Sequence, residues 1–366
     1  MTDSLRNEYQ TASVSPPGTT IADLLEERGI KQVELAARMA VTPKFVNELI
    51  AGKASITPAT AIALERTLDL PAEFWLTRDA RYQEHRARAD AESELEKQVT
   101  WLNTLPMPYL RKMGLVKQAR CNTTAVAECL AFFAVASVDA WRNQYVQRTL
   151  GSAAYRASTK RSASEGAVAT WLRVGEVNAA RVECAAFSRD RFTEALAQAR
   201  ALTRETDPKV FVPELERIFA ATGVVVKLIP APSGCPVTGA VRWLTPEKAL
   251  IQLSLRYRWN DVLWFTLFHE CGHLVLHGKK MLFLEESGLD GDEEEQANRF
   301  SADFLIPRDQ WSQIREMALA TSSITQAAER LGIAPGILVG RLQKEGLVPW
   351  HSPLNRLKVR YQWQES

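Results

Sequence analysis

Between residues 16 and 90 the apolar positions recur at helical spacing, broken by residues that cap helices. In "IKQVELAARMAVTPKFVNELIAGKASITPATAIALERTLDL" the positions Val33, Ala36, Met39, Val46 and Leu49 define apolar helix faces. Thr42 followed by Pro43 predicts a helix start, with a side-chain cap and a proline at the first helical position. Gly52 closes that helix, and Thr57 with Pro58 opens the next in the same way. Only a tight turn fits between Met39 and Thr42, so the pattern predicts two short helices in a helix-turn-helix unit.

From about 91 to 205 the chain is rich in alanine, glutamate and arginine, poor in glycine, and free of any fixed repeat, which predicts a helical scaffold carrying Trp101, Trp141 and Trp171. The apolar run "AVAECLAFFAVASV" at 125–138 contains Glu128 and is followed by Asp139. It is too short to span a bilayer and predicts a buried helix. "RASTKRSASEG" at 156–166 predicts an exposed loop. After Pro208 the texture changes: "GVVVKLIP", "GAVRWL" and "KALIQLSLRY" are β-branched and alternating, which predicts three short strands. A helix follows from about Asp261 to Gly278, then an acidic loop, then "EEEQANRFSADFLIP", a helix halted by Pro307. The stretch "SITQAAERLGIAPGILVGRLQKEGL" repeats the helix-turn-helix rhythm, but Ala327, Leu331, Ile337, Val339 and Leu342 are expected to pack on the preceding domain. The expected fold class is mainly α with a small β-sheet (α+β), divided as 1–90, 91–205, 206–310 and 311–366.

Composition narrows the classes. At 366 residues the chain exceeds one ordinary domain, and 46% apolar with 24% charged residues is the balance of a globular protein with ample core. A net charge of +2 gives no global basic field, so any nucleic-acid contact must rest on a local patch. Five cysteines, an odd number without CxxC spacing, argue against a disulfide framework or a cysteine-built zinc finger and suit a reducing cytoplasm. "MTDSLRNEYQ" lacks the basic-then-apolar layout of a signal peptide, and no membrane association is expected.

The chemistry concentrates in "FTLFHECGHLVLHGKK" at 265–280, where His269 and His273 stand four apart and Glu270 directly follows the first. On a helix both imidazoles share a face and can reach one ion at the ~2.0–2.1 Å zinc–nitrogen distance. A catalytic zinc takes three protein ligands and a water, and Glu270 falls beside that water as a general base rather than on the metal. The plain alternative is a buried helix carrying two satisfied histidines; the apolar flanks "FTLF" and "LVL" favour a dry metal site. His277 is expected to cap the helix carbonyls beside Gly278 and is not at metzincin spacing. The acidic run Asp292, Glu293, Glu294, Glu295 can supply the third ligand, although most of it suits a solvated helix N-terminus. Spacing alone leaves that choice open.

"FTLFHECGHLVLHGKK" followed by "EEEQANRFSADFLIP" resembles the ImmA/IrrE family of metallopeptidases, whose pattern is HExxH, then a glutamate four residues before an asparagine, then a hydrophobic stretch ending in proline. "GAVRWL", "LSLRYRW" and "YRAS" at 155–158 are similar to further family segments, so the likeness covers roughly 150–350. The resemblance implies one zinc ion per chain, with His269 and His273 as ligands, Glu294 as the carboxylate ligand because Asn298 follows it by four, and Glu270 as general base. Cys271 departs from the small apolar residues usual there and raises the question of a thiol beside the metal. Cleavage of a repressor or antitoxin-type protein is the implied activity, with "KALIQLSLRY" beside the zinc offering a strand edge to an extended substrate.

Residues 16–88 resemble XRE-type domains of the HigA antitoxin kind, which implies binding to a double-stranded DNA operator. In such units the second helix enters the major groove, and its exposed candidates here are Thr42, Lys44, Phe45, Asn47 and Glu48. Asn47 suits adenine, Lys44 guanine or phosphate, and Gln32 and Lys53 phosphate. Near-balanced charge makes one copy a weak binder and a homodimer on a palindromic site the expectation. The combined expectation is a cytoplasmic DNA-binding regulator with a zinc-dependent endopeptidase domain, in toxin–antitoxin or stress control. Its rival is a non-proteolytic repressor whose zinc domain is a sensor or dimerisation module.

Overall fold

The computed structural model describes residues 14–149, 165–254, 256–278, 282–285 and 291–362. The loop expected at 156–166 and the "YRAS" segment lie outside the described residues, apart from 165 and 166, which begin a helix. The chain divides into two compact units, Met1–Val99 and Thr100–Ser366.

The first unit contains α1 (Pro17–Arg28), α2 (Gln32–Arg38), α3 (Pro43–Ile50), α4 (Pro58–Leu68) and α5 (Ala72–Lys97). The caps form as the sequence predicts: the Thr42 and Thr57 hydroxyls each accept a backbone N–H, from Phe45 and Thr60, at 3.2 Å. The α2–α3 turn is tight enough that Ala40 takes φ 54°, a left-handed conformation that costs a non-glycine residue roughly 1–2 kcal/mol. The surrounding core offsets that cost. Ile21, Leu35, Val46, Leu49, Leu64 and Trp75 are fully buried, each large aliphatic side chain contributing about 1.5–3 kcal/mol. Val33 breaks the predicted apolar face, being 65% exposed on α2. The boundary expected at residue 90 falls inside α5, because nothing between Ala72 and Lys97 breaks the helix.

The second unit begins with α6 (Met107–Lys112), α7 (Thr123–Phe133) and α8 (Val138–Trp141), which runs on as a π-helix over Arg142–Thr149. The apolar run at 125–138 lies mostly in α7, with Ala125, Val126, Cys129, Leu130 and Phe133 buried. Glu128 accepts the backbone N–H groups of Lys117 and Gln118 at 2.8 and 3.2 Å. Thr123–Gln147 is the one stretch among the described residues with the length and apolarity of a membrane span. Ala134, at φ 55°, ends α7 inside it, and the chain turns before α8.

Next come α9 (Glu165–Ala180), α10 (Arg189–Ala201) and α11 (Pro208–Ala220), then β1 (Val224–Leu228), β2 (Gly239–Thr245) and β3 (Lys248–Leu253). These are the three expected strands. A fourth, β4 (Leu282–Glu285), forms inside the stretch expected to be an acidic loop, where four residues are too few to give an alternating signal. The sheet order is β1-β3-β2-β4, with β1 parallel to β3 and the other pairs antiparallel. This overturns one expectation: β3 is an interior strand, hydrogen-bonded on both sides, and has no edge to offer a substrate. Its ladder stops at Leu253, short of the predicted Tyr257.

Five helices complete the unit: α12 (Asn260–Leu276), α13 (Asp292–Leu305), α14 (Arg308–Glu316), α15 (Thr321–Leu331) and α16 (Pro335–Lys344). Helix α12 lies in the largest core, with Trp264, Leu267 and Phe268 fully buried. Ala327, Leu331, Ile337, Val339 and Leu342 join the same core, so the apolar face of α15 and α16 is spent on packing. The first turn of α12 is fastened by the C-terminal segment. The Asn260 N–H donates to the Val359 carbonyl at 2.9 Å, and Lys358 Nζ meets Asp261 Oδ2 at 2.5 Å with both side chains under a tenth exposed.

Candidate metal centre and nucleic-acid interface

Helix α12 is apolar on almost every side, which buries it and leaves its few polar side chains to find partners inside the unit. His269 and His273, both 1% exposed, lie one turn apart and aim their Nε2 atoms at one point, 3.0 Å from each other. Glu294 arrives from the first turn of α13, its Oε2 3.2 Å from His269 Nε2 and its Oε1 3.4 Å from His273 Nε2. Donors held at the ~2.0–2.1 Å zinc–ligand distance and a tetrahedral angle stand about 3.3–3.4 Å apart. The three donors therefore have a spacing that suits zinc, and they are the one such group among the described residues.

Local packing explains why Glu294, of the four acids, is the one turned inward. Ala297 and Ser301 are buried, and with Glu294 and Asn298 they make a helical stripe facing α12. Gly272 of α12 lets the helices approach closely: a Cβ there would lie 3.2 Å from Ala297 Cα. Ser301 Oγ donates to the Phe265 carbonyl at 2.8 Å and fixes the register. Asp292 and Glu295 are exposed, and Glu293 is half-buried.

The shifts of Glu294 and His273 run in the direction that suits a cation. Burial pushes the Glu294 carboxyl up, but hydrogen bonds from His269 and His273 together with their charge outweigh it and bring it down to about 2. Burial, the largest influence on His273, drives its imidazole below the usual value. Neutral imidazoles and an ionised carboxylate are the forms that ligate metal. His269 Nδ1 is 3.1 Å from Asn298 Oδ1, an acceptor, so a neutral ring that donates to it carries its proton on Nδ1 and leaves Nε2 for a ligand bond.

Glu270 is fully buried beside the donors. Strand β2 begins directly over it, where a Cβ on Gly239 would lie 2.5 Å from Glu270 Oε1, so only glycine leaves that carboxylate its place. Cys271, by contrast, packs into the main core away from the donor group, and burial first and Glu270 second hold its thiol protonated. It is a core residue here. The ring of His277, expected to cap the helix carbonyls, places its Nδ1 3.0 Å from His273 Nδ1. The resemblance uses Asn298 only as a marker for Glu294, and nothing in the sequence reading singles out Gly239. The small residues Gly272, Ala297 and Ser301 were the available signal for a close helix pair.

In the first unit Gln32, Thr42, Lys44, Asn47 and Lys53 are all exposed, at the start of α2, along the outer face of α3 and just beyond it. Lys44 is only loosely paired, 3.8 Å from Glu48. Thr42 accepts a backbone N–H yet keeps its own hydroxyl proton to donate. Phe45 departs from expectation: it is half-buried against the unit's core and serves packing.

Comparison with known proteins agrees with this division. Residues 21–75 match a helix-turn-helix family model, and residues 263–343 match the family model described as IrrE N-terminal-like domain. A 60-residue segment is 33% identical to an uncharacterized HTH-type transcriptional regulator, YddM, of Escherichia coli (strain K12), covering 16% of this chain and 64% of that protein, short of two thirds of its length. Among solved structures, the Pseudomonas aeruginosa antitoxin HigA with the higBA promoter is 27% identical, with 23% of this chain and 94% of that chain covered and a TM-score of 0.22. An addiction module antidote protein of the HigA family from Coxiella burnetii is 26% identical, with 23% and 92% covered and a TM-score of 0.21. The chain thus carries a helix-turn-helix domain over residues 21–75 and an IrrE N-terminal-like domain over residues 263–343.

Proposed function

We propose that this chain is a cytoplasmic transcriptional regulator whose C-terminal unit is a zinc-dependent endopeptidase acting on a repressor or antitoxin-type protein. The observation that carries the reading is the convergence of His269, His273 and Glu294 within 3.0–3.4 Å, with the fully buried Glu270 one residue along the same helix. His269, His273 and Glu294 would hold one zinc ion per chain. Zinc bound there supplies a Lewis acid and lowers the pKa of water to about 7. Glu270 accepts the proton of the attacking water and passes it to the leaving amine, a role that its burial beside the donors supports. Asn298 keeps His269 in the tautomer that presents Nε2. An extended substrate segment pairs with β4, the edge strand next to β2, rather than with the interior β3.

On the DNA side, Asn47 and Lys44 read bases in the major groove, while Gln32, Thr42 and Lys53 hold phosphates of the operator. Two copies on a palindromic site supply the affinity that one near-neutral unit lacks. The DNA-binding part extends in this reading through α5.

The test is incubation of the protein, and of its Glu270→Gln variant, with proteins encoded beside it. Cleavage by the parent and none by the variant, with zinc content equal, is the expected result. If the variant matched the parent in regulating target genes and answering the inducer, the endopeptidase reading would fall and a non-proteolytic zinc sensor would stand in its place.

A further inference from the structure

Beyond the converging donors, α12 ends in one more imidazole. His277 is its C-cap residue and is half-buried. Nδ1 of His277 lies 3.0 Å from Nδ1 of His273, and its Nε2 lies 3.3 Å from Oε1 of Gln296 on α13. Two ring nitrogens at hydrogen-bond distance need one donor and one acceptor. For His273 to present the lone pair of Nε2 at the donor centre, its neutral ring must carry the proton on Nδ1. Nδ1 of His273 then donates to Nδ1 of His277. A neutral His277 keeps its own proton on Nε2, which donates to the Gln296 carbonyl oxygen, an acceptor. The chain of bonds closes in that direction. The opposite direction puts the His273 proton on Nε2, toward Glu294 Oε1 at 3.4 Å and His269 Nε2 at 3.0 Å, where it takes up the lone pair that an ion held by these donors needs.

The second imidazole is held in a parallel manner, His269 Nδ1 facing Asn298 Oδ1 at 3.1 Å. Both arrangements end on α13, the helix that brings Glu294. One packed helix therefore delivers the carboxylate and the groups that orient both rings.

We propose that His277 is a positioning residue for the metal centre, fixing His273 in its Nδ1–H tautomer and aiming Nε2 at the ion, with Gln296 completing the chain. The proposal rests on the zinc reading given above. A role confined to ending the helix makes a different demand, since any residue tolerated before Gly278 would then serve.

The test compares His277→Leu and His277→Asn in the full-length protein. Leucine removes the acceptor, whereas asparagine places Oδ1 where Nδ1 stands, repeating what Asn298 gives His269. Zinc affinity is measured by competition with a chromophoric chelator, and the protonated ring nitrogen of His273 is identified by NMR of protein labelled with 15N-histidine. His277→Leu is expected to weaken zinc binding about 10- to 100-fold. His277→Asn should restore parent-like affinity and keep the Nδ1–H signal. Should His277→Leu fail to fold, Gln296→Leu at an exposed position carries the test, with weaker zinc binding again expected. Parent-like affinity in the folded leucine variant overturns the proposal, as does an asparagine variant no better than leucine, or a His273 proton on Nε2. Failure of the parent protein itself to take up zinc would overturn the metal reading, a separate and distinguishable result.

Discussion

In the N-terminal unit the candidate side chains stand clear of the fold: Gln32, Thr42, Lys44, Asn47 and Lys53 are exposed on α2, α3 and the turn that follows, and the core beneath them is made by other residues. In the C-terminal unit His269, Glu270 and His273 are at most 1% exposed, and the third donor must be brought in by a separate helix. A surface site of the first kind can change its specificity one residue at a time without loss of stability. A buried site of the second kind is bound to the packing that makes it, so its chemistry and its fold respond together. The difference also sets the environment. Partners of the first site meet full solvent, while those of the second meet a low-dielectric wall where charges act strongly.

The sharpest separation of chemistry from packing within the buried site is Glu270→Gln, which keeps size and loses the base. Cleavage measured on a susceptible partner should fall 10²–10⁴-fold, about 3–5.5 kcal/mol in activation free energy, while thermal stability stays at the parent value. A comparable loss of stability would mean that Glu270 is chiefly a structural group.

Next in size is the ion pair that fastens α12. Lys358→Ala leaves Asp261 buried and uncompensated against Gly340, and should destabilise the C-terminal unit by about 3–5 kcal/mol in denaturant unfolding. The N-terminal unit should unfold as before. A change below about 1 kcal/mol would show that solvent reaches the pair.

On the exposed side, Asn47→Ala or Lys44→Ala should weaken operator binding by about 1–3 kcal/mol with the unfolding midpoint unmoved. If either substitution lowered stability instead, the contrast between the two sites would blur. The smallest effect belongs to the cap: Thr57→Ala, remote from α3's outer face, should cost roughly 1 kcal/mol of stability and leave DNA affinity intact.

Much of this was legible in the sequence where local chemistry decides. Thr42-Pro43 and Thr57-Pro58 announced two helix starts, and the HExxH spacing put both imidazoles on one face. What escaped depends on contacts between distant segments. Val33 fits the apolar period yet faces solvent, because periodicity does not say which face has a neighbour. β4 is too short to carry a period, and β3 reads the same whether it is an edge or an interior strand. Gly239 over Glu270 follows from the approach of two elements some 30 residues apart, which no local rule resolves, whereas His277 is an i,i+4 neighbour of His273 whose ring the expected capping role assigned elsewhere. The choice of Glu294 among four acids came from the resemblance; the stripe of Ala297 and Ser301 gives its physical reason.

The measurement that tests the central claim most directly is the metal content of the purified full-length protein beside that of His273→Ala. The geometry of His269, His273 and Glu294 predicts about one zinc per chain in the parent and none retained by the variant after dialysis. Equal zinc in both proteins, or none in the parent under zinc-replete conditions, would contradict it.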